Sequence, residues 1–169
     1  MFKKTFPKAK MIFKEGETGS EAFLVESGKV LILKMGVEAP IIVASLGPGT
    51  LFGEMAILDG SRRMATAVAG EDTVCVVITG QQLTQRIMAL APDLVRLLNT
   101  LMDYVRSTVP YDSRAKAGLA LEETVADRHA RMMLPSPQAI ESYGIKDTMM
   151  KALINMLCEY TRRRLPPGP

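Results

Sequence analysis

The stretch that decides the fold is FGEMAILDGSRRMATAVA, residues 52–69, which lies between segments expected to form apolar strands. Gly53 and Glu54 open it, and a short apolar segment and a polar turn follow. The turn contains two arginines, Arg62 and Arg63, and small residues come after them. An acid, a glycine and a basic pair so close together, where a hydrophobic core should be closing, indicate a binding site.

The residue types of this stretch suit a phosphate next to a sugar. Gly53 permits close approach of the backbone, and a helical turn starting at Glu54 offers unpaired N–H groups, which favour an anion. Arg63 can place its planar guanidinium on a singly charged phosphate, and Ala65 has no bulk to keep a ligand away. Glu54 does not suit a phosphate, but it can accept a hydrogen bond from a sugar hydroxyl. The stretch therefore predicts a compact nucleotide as ligand.

The surrounding residues, 10–80, form short apolar segments separated by turns rich in Gly, Ser, Asp and Pro. Successive segments lie roughly ten residues apart, a spacing typical of an antiparallel sandwich or barrel. The expected strands are 22–25, 29–34, 41–46, 65–69 and 74–78.

The hydrophobic period changes after residue 80, and the rest of the chain is predicted to be helical. Apolar residues recur at helical spacing from Gln81 to Ser107, and Pro92 divides this run into two helices. The fold class is therefore mostly β with α: an antiparallel β-sandwich or barrel followed by helices and a helical C-terminal tail. A linker is expected at 110–118, and further helices are expected near 119–134, 136–144 and 146–164.

The last predicted helix carries an apolar stripe formed by Met149, Leu153, Met156, Leu157 and Tyr160. Such side chains contribute roughly 1.5–3 kcal/mol each when fully buried, so the stripe should be covered by protein. Either the helix that ends near Ser107 or the same stripe of a second copy could cover it. We expect the second copy, and hence a homodimer.

Composition and charge argue against several classes of protein. The 21 basic and 18 acidic residues are interleaved and give a net charge of only +3, which does not favour a general nucleic-acid binder. Two distant cysteines, Cys75 and Cys158, and a single histidine, His129, supply no disulfide framework, metal cluster or catalytic triad. Neither a metal nor an enzymatic activity is predicted. Without a secretory or membrane-spanning pattern, we expect a cytoplasmic protein with no membrane contact.

The stretch 52–69 closely resembles the phosphate-binding cassette of the cyclic nucleotide-binding domain family. That cassette has the pattern F-G-E-(apolar)-A-(apolar), a variable turn, and then R-x-A-(T/S), which Phe52 to Ile57 and Arg63 to Thr66 follow. The upstream segment IFKEGETGSEAFLVESGKVLI, residues 12–32, is similar to the family's opening hairpins. The resemblance implies an eight-stranded antiparallel jelly roll within a domain at 1–109, and residues 110–169 are then a linker and helical extension.

The same resemblance implies roles for the cassette residues. Arg63 and the backbone N–H groups of Ala56, Met64 and Ala65 would hold the cyclic phosphate. Glu54, with the Gly53 backbone, would take the ribose 2′-hydroxyl.

The resemblance also places the base against the sheet, under the family's last helix, where Tyr104 or Arg106 could stack on a purine. A threonine at position 64 is linked in the family to a preference for cyclic GMP. Because Met64 has no hydroxyl, cyclic AMP is the predicted ligand. The complete predicted site is Phe52, Gly53, Glu54, Ala56, Arg63, Met64, Ala65, Tyr104 and Arg106.

These features predict a regulatory module that binds a cyclic nucleotide and signals through its C-terminal helices to an effector protein not identified by the sequence. The alternative is a transcription regulator of the catabolite-activator type, since SPQAIESYGIKDTMMKAL, residues 136–153, has a helix–glycine turn–helix pattern. The early turns of its second helix offer only Lys151 and Asn155 for contacts with bases or phosphates, and DNA binding is therefore not expected.

Overall fold

The structure is a computed structural model and describes residues 2–36, 39–58, 60–107 and 124–166. The chain divides into two compact units, Met1–Arg86 and Ile87–Pro169. Within the described ranges, no helix combines the length and apolar character needed to cross a membrane.

The first unit is built from two four-stranded antiparallel sheets and short helices. The sheets have the strand orders β1-β8-β3-β6 and β2-β7-β4-β5. The prediction of an antiparallel sandwich with helices is confirmed, and all five predicted strands are present. In chain order the elements are β1 (Phe2–Phe6), β2 (Met11–Phe13), β3 (Glu21–Ser27), β4 (Val30–Met35), β5 (Pro40–Leu46), β6 (Leu51–Phe52), α1 (Met55–Leu58), β7 (Thr66–Ala69), β8 (Thr73–Thr79) and α2 (Gly80–Met88).

The core of the first unit contains residues from both sheets. Alternate residues of β7 are buried, and most of β8 follows the same pattern, as expected for a sandwich with one solvated side per sheet. Three aromatic rings pack together in this core: the centroid of Phe23 lies 5.4 Å from that of Phe52, and Phe13 lies 6.0 and 5.9 Å from the two. The buried cluster comprises Phe23, Val25, Phe52, Cys75 and Val77 of one sheet and Val30 and Ala67 of the other.

Four helices are described in the second unit: α3 (Pro92–Ser107), α4 (Val125–Met133), α5 (Pro137–Ser142) and α6 (Thr148–Arg164). Their starts follow local capping rules. Thr124 and Asp127 form a capping box at α4, and Ser136 caps α5. At α6 the cap is Asp147, whose carboxylate accepts from two backbone N–H groups of the first turn.

The apolar stripe of α6 is buried within its own unit, where α6 packs against α3. On the α3 side, Leu98 and Leu101 are fully buried. The stripe is therefore buried within a single chain, in a unit where α6 packs on α3, and it does not need a second copy to leave water. The homodimer itself stays a prediction. The buried members of the stripe are Met149, Leu153, Met156 and Leu157, and Tyr160 is half-buried.

The contact-based division of the chain assigns α3 to the second unit, where it packs against α6. The domain boundary expected after residue 109 stays a prediction. The predicted linker at 110–118 lies outside the described residues.

Candidate functional site

The stretch 52–69 folds as the end of β6, the short helix α1, a polar turn and β7. Phe52 is buried in the sandwich core, and the side chain of Glu54, just before α1, is only 1% exposed. Between them, Gly53 has a φ of +76°, which favours glycine, and a Cβ there would lie 2.7 Å from Nη1 of Arg63. Glycine is thus required at position 53 both by the backbone conformation and by the space available.

Arg63 lies at the centre of the site, and its side chain is 6% exposed. Nη1 donates to the carbonyl of Gly53 at 2.5 Å, and Nη2 donates to the carbonyl of Glu21 at 2.7 Å. The ring of Phe13 lies 4.2 Å from Cζ, and a Cβ on Gly19 would come within 2.2 Å of Cζ. The guanidinium is therefore fixed by two carbonyls, an aromatic ring and a closely approaching backbone.

The electrostatics of Arg63 suit an anionic ligand. Burial lowers the pKa of its guanidinium, while the carboxylates of Glu54, Glu21 and Glu17 raise it. Within the described part of the chain, Nε of Arg63 is buried and has no hydrogen-bond partner. An unpaired buried donor costs about 1–3 kcal/mol, a cost that an acceptor oxygen of a ligand would remove.

Backbone hydrogen bonds join the polar turn to the loop between β2 and β3. The N–H of Arg63 donates to the carbonyl of Glu17 at 2.8 Å, and the N–H of Gly16 donates to the carbonyl of Arg63 at 2.9 Å. The exposed Arg62 donates from Nη1 to the carbonyl of Gly16 at 2.9 Å. The two neighbouring arginines thus differ in role: Arg62 bonds the turn to the loop between β2 and β3 at the surface, and the side chain of Arg63 is buried.

The remaining cassette residues are compatible with a ligand at this position. Ala56 in α1 is buried, and Ala65 is half-buried just before β7. Met64 is 48% exposed, so its side chain does not fill the interior beside Arg63.

The two residues predicted to cover a base belong to the second unit. Tyr104 of α3 is 5% exposed, packs with Ala130 and Leu165, and donates its hydroxyl hydrogen bond to the carboxylate of Asp127 on α4. Its ring is thus engaged among the helices. Position 106 is helical, but the side chain of Arg106 lies outside the described part of the chain.

Three residues that lie against the guanidinium of Arg63 were not predicted: Phe13, Gly19 and Glu21. Glu21 contributes its backbone carbonyl, which leaves no mark on the residue type, and it lies 42 positions before Arg63. Gly19 leaves the space that the guanidinium occupies, a contact that the local sequence does not indicate.

The cysteines take no part in the site. Cys75 and Cys158 are buried free thiols, and burial raises the pKa of each to about 11, so both remain protonated near neutral pH. Among the described residues, no group of three or more His, Cys, Asp or Glu side chains could hold a metal ion.

The first unit is thus a two-sheet sandwich that holds a buried, backbone-anchored arginine and a buried carboxylate, groups suited to a small anionic ligand. The family model of the cyclic nucleotide-binding domain matches residues 3–89, and the chain belongs to that family.

Relatives of several kinds resemble this part of the chain. The cyclic AMP receptor protein of Thermus thermophilus is 39% identical over 102 residues, which are 57% of this chain and 46% of the relative. The cAMP-dependent protein kinase regulatory subunit of Aspergillus niger is 37% identical over 91 residues, 54% of this chain and 21% of that protein. This chain thus spans less than half the length of either relative.

A solved structure with the same fold is that of the EAL enzyme Bd1971 in its cAMP-bound form. It superposes with a TM-score of 0.57 at 33% identity and covers 63% of this chain and 29% of the enzyme. The cGMP-bound form of the same enzyme gives a TM-score of 0.55 at 32% identity, covering 62% of this chain and 28% of the enzyme.

Proposed function

We propose that this chain is a regulatory module that binds cyclic AMP and signals through its C-terminal helices, without chemistry of its own. The observation that carries the proposal is Arg63, a buried and backbone-anchored cation whose Nε has no hydrogen-bond partner among the described residues. A buried guanidinium paired with a phosphate oxygen is among the strong polar interactions that proteins form.

In this proposal two kinds of group in the cassette bind two different parts of the ligand. Arg63 and the backbone N–H groups of Ala56, Met64 and Ala65 hold the cyclic phosphate. The carboxylate of Glu54 accepts a hydrogen bond from the ribose 2′-hydroxyl, for which it is suited as an acceptor-only group. The carboxylate of Glu54 raises the pKa of the Arg63 guanidinium and so stabilises its charged form.

Calorimetric titration with cyclic AMP, cyclic GMP and 5′-AMP tests the proposal directly. We expect cyclic AMP to bind most tightly, because Met64 offers no hydroxyl to a guanine. We expect 5′-AMP to bind most weakly, because its open phosphate carries a further negative charge beside Glu54. Tighter binding of cyclic GMP would overturn the preference, and no binding of either cyclic nucleotide would overturn the function.

A second prediction concerns the sugar. Glu54→Gln is expected to weaken binding of cyclic AMP more than binding of its 2′-deoxy analogue, because the analogue has already lost the charge-assisted hydrogen bond to the carboxylate. Removal of such a bond costs about 1.5–3 kcal/mol, or roughly 10- to 150-fold in Kd. Titration of the wild-type chain and of Glu54→Gln with both ligands gives the comparison. Equal losses for the two ligands would assign Glu54 to support of Arg63 instead.

The output proposed for ligand binding is a change in the position of α3. A ligand shifts such an equilibrium only by the difference between its affinities for the two states, so the bound state must include contacts that the free state lacks. The recipient of the signal is then a protein surface that recognises the helical unit.

The DNA-binding alternative is supported less well. The helix–turn–helix pattern is present, with Gly144 at a φ of +63° between α5 and α6. A recognition helix presents its N-terminal turns to the major groove, however, and those turns of α6 are largely buried. The buried residues are Met149, Met150, Ala152, Leu153 and Ile154.

A further inference from the structure

We propose that Phe13 is a positioning residue for Arg63: its ring, packed against the guanidinium at the edge of the sandwich core, sets the orientation in which Arg63 meets the phosphate of the ligand. The inference rests on the proposed function and assigns part of its affinity to a side chain outside the cassette.

The geometry is that of a cation–π contact. Cζ of Arg63 lies 4.2 Å from the centroid of the Phe13 ring, well inside the roughly 6 Å over which such contacts act. The contact is strengthened by its setting, because the guanidinium is 6% exposed and water does not screen it effectively.

The ring is itself held in place. Phe13 ends β2, and its ring packs against Phe23 and Phe52, both of which are buried. Phe52 is also the first residue of the cassette, so the aromatic cluster connects the core of the sandwich to the binding stretch. A ring fixed in this way is a rigid surface for the guanidinium, not a mobile neighbour.

The ring and the carbonyl groups constrain different motions of Arg63. The carbonyls of Gly53 and Glu21 fix the two terminal nitrogens, and the ring limits rotation and displacement of the guanidinium plane. An arginine ordered before the ligand arrives loses less side-chain freedom on binding, which improves affinity without a new contact to the ligand.

An aromatic ring also has an electrostatic advantage over a carboxylate at this position. Its quadrupole offsets part of the cost of burying the cation but carries no net charge. The ring thus adds no further anion to the carboxylates of Glu17, Glu21 and Glu54 that already act on Arg63.

The test is a set of cyclic AMP dissociation constants measured by calorimetry on the full chain. Phe13→Leu is expected to bind about 5- to 30-fold more weakly, the change that a desolvated cation–π contact of about 1–2 kcal/mol represents. Phe13→Tyr keeps the ring face and should bind within about twofold of the wild type. Phe13→Met, of similar bulk but without a π face, provides a second non-aromatic variant and should behave like Phe13→Leu.

Phe6 provides a matched control, because it is also half-buried and packs on Phe23, with centroids 6.1 Å apart. No contact between Phe6 and Arg63 is present among the described residues. Phe6→Leu should lower the thermal stability about as much as Phe13→Leu but leave the dissociation constant unchanged.

Coupling to Arg63 separates positioning from packing. In an Arg63→Lys background, which lacks the planar guanidinium, adding Phe13→Leu should change the affinity by less than about threefold. An undiminished loss in that background, or wild-type affinity for Phe13→Leu, would overturn the role of Phe13 while the proposed function stands. Absence of cyclic-nucleotide binding by the wild-type chain would overturn the proposed function, and with it the role of Phe13 in binding.

Discussion

Arg63→Ala is expected to weaken cyclic AMP binding by about 2–5 kcal/mol, roughly 30- to several-thousand-fold in Kd, whereas Arg62→Ala should cost less than about 1 kcal/mol. The reason is the different location of the two side chains. Arg63 is buried and anchored to the backbone of β3 and of the cassette, while Arg62 lies in solvent on the other side of the turn. Calorimetric titration of the two variants measures the difference.

Arg63→Ala also removes the hydrogen bonds to the carbonyls of Gly53 and Glu21, so thermal unfolding must be measured in parallel. Arg63→Lys keeps a positive charge near Glu54 and loses only the bidentate fork, and we expect it to bind with intermediate affinity. Comparable losses for Arg62→Ala and Arg63→Ala would show that the phosphate has been assigned to the wrong arginine.

The second large effect is expected in the helical unit. Leu98→Ala should lower the free energy of unfolding by about 2–5 kcal/mol, because Leu98 is fully buried on α3 and its truncation leaves a cavity in a well-packed interface. Urea unfolding followed by far-ultraviolet circular dichroism gives the magnitude. Hydrogen exchange should show that the protection lost is concentrated in α3 and α6.

The adjacent Asn99 is exposed and serves as the control. Asn99→Ala should change the free energy of unfolding by less than about 0.5 kcal/mol, as is usual for surface substitutions. Similar stabilities for the Leu98 and Asn99 variants would mean that α3 is not held by its apolar face.

The strands with uninterrupted apolar patterns were predictable, and β1 was not. Its sequence, FKKTF, contains two adjacent lysines and none of its side chains is fully buried. The strand forms because its backbone pairs with β8, Phe2 opposite Val77 and Phe6 opposite Thr73. Ladder hydrogen bonds with a distant strand are a tertiary contribution that local hydrophobicity does not encode.

The candidate site was predictable where a local sequence pattern specifies it. It was unpredictable where residues distant in the sequence contribute the contacts. One short segment contains Gly53, Glu54 and Arg63, so binding of a phosphate and a hydroxyl could be inferred from it. Phe13 and the carbonyl of Glu21 reach Arg63 only because β2, β3 and the cassette are joined in the folded sandwich.

For α6 the sequence predicts the apolar face but not its partner. Periodicity identifies which side chains must leave water, and α3 of the same chain and α6 of a second chain satisfy that requirement equally well. Two helices of one chain meet at high effective concentration, which favours the contact that the structure contains.

The packing of α3 against α6 has a consequence for anyone who shortens this chain. A cut after Ser107 would isolate the sequence that resembles the binding domain, yet it would also remove the cover from Leu98 and Leu101, which are now fully buried. The truncated protein would expose an apolar surface on α3 that the intact chain buries. Any self-association it showed would be a property of the exposed helix, and its apparent oligomeric state would say nothing about the intact chain.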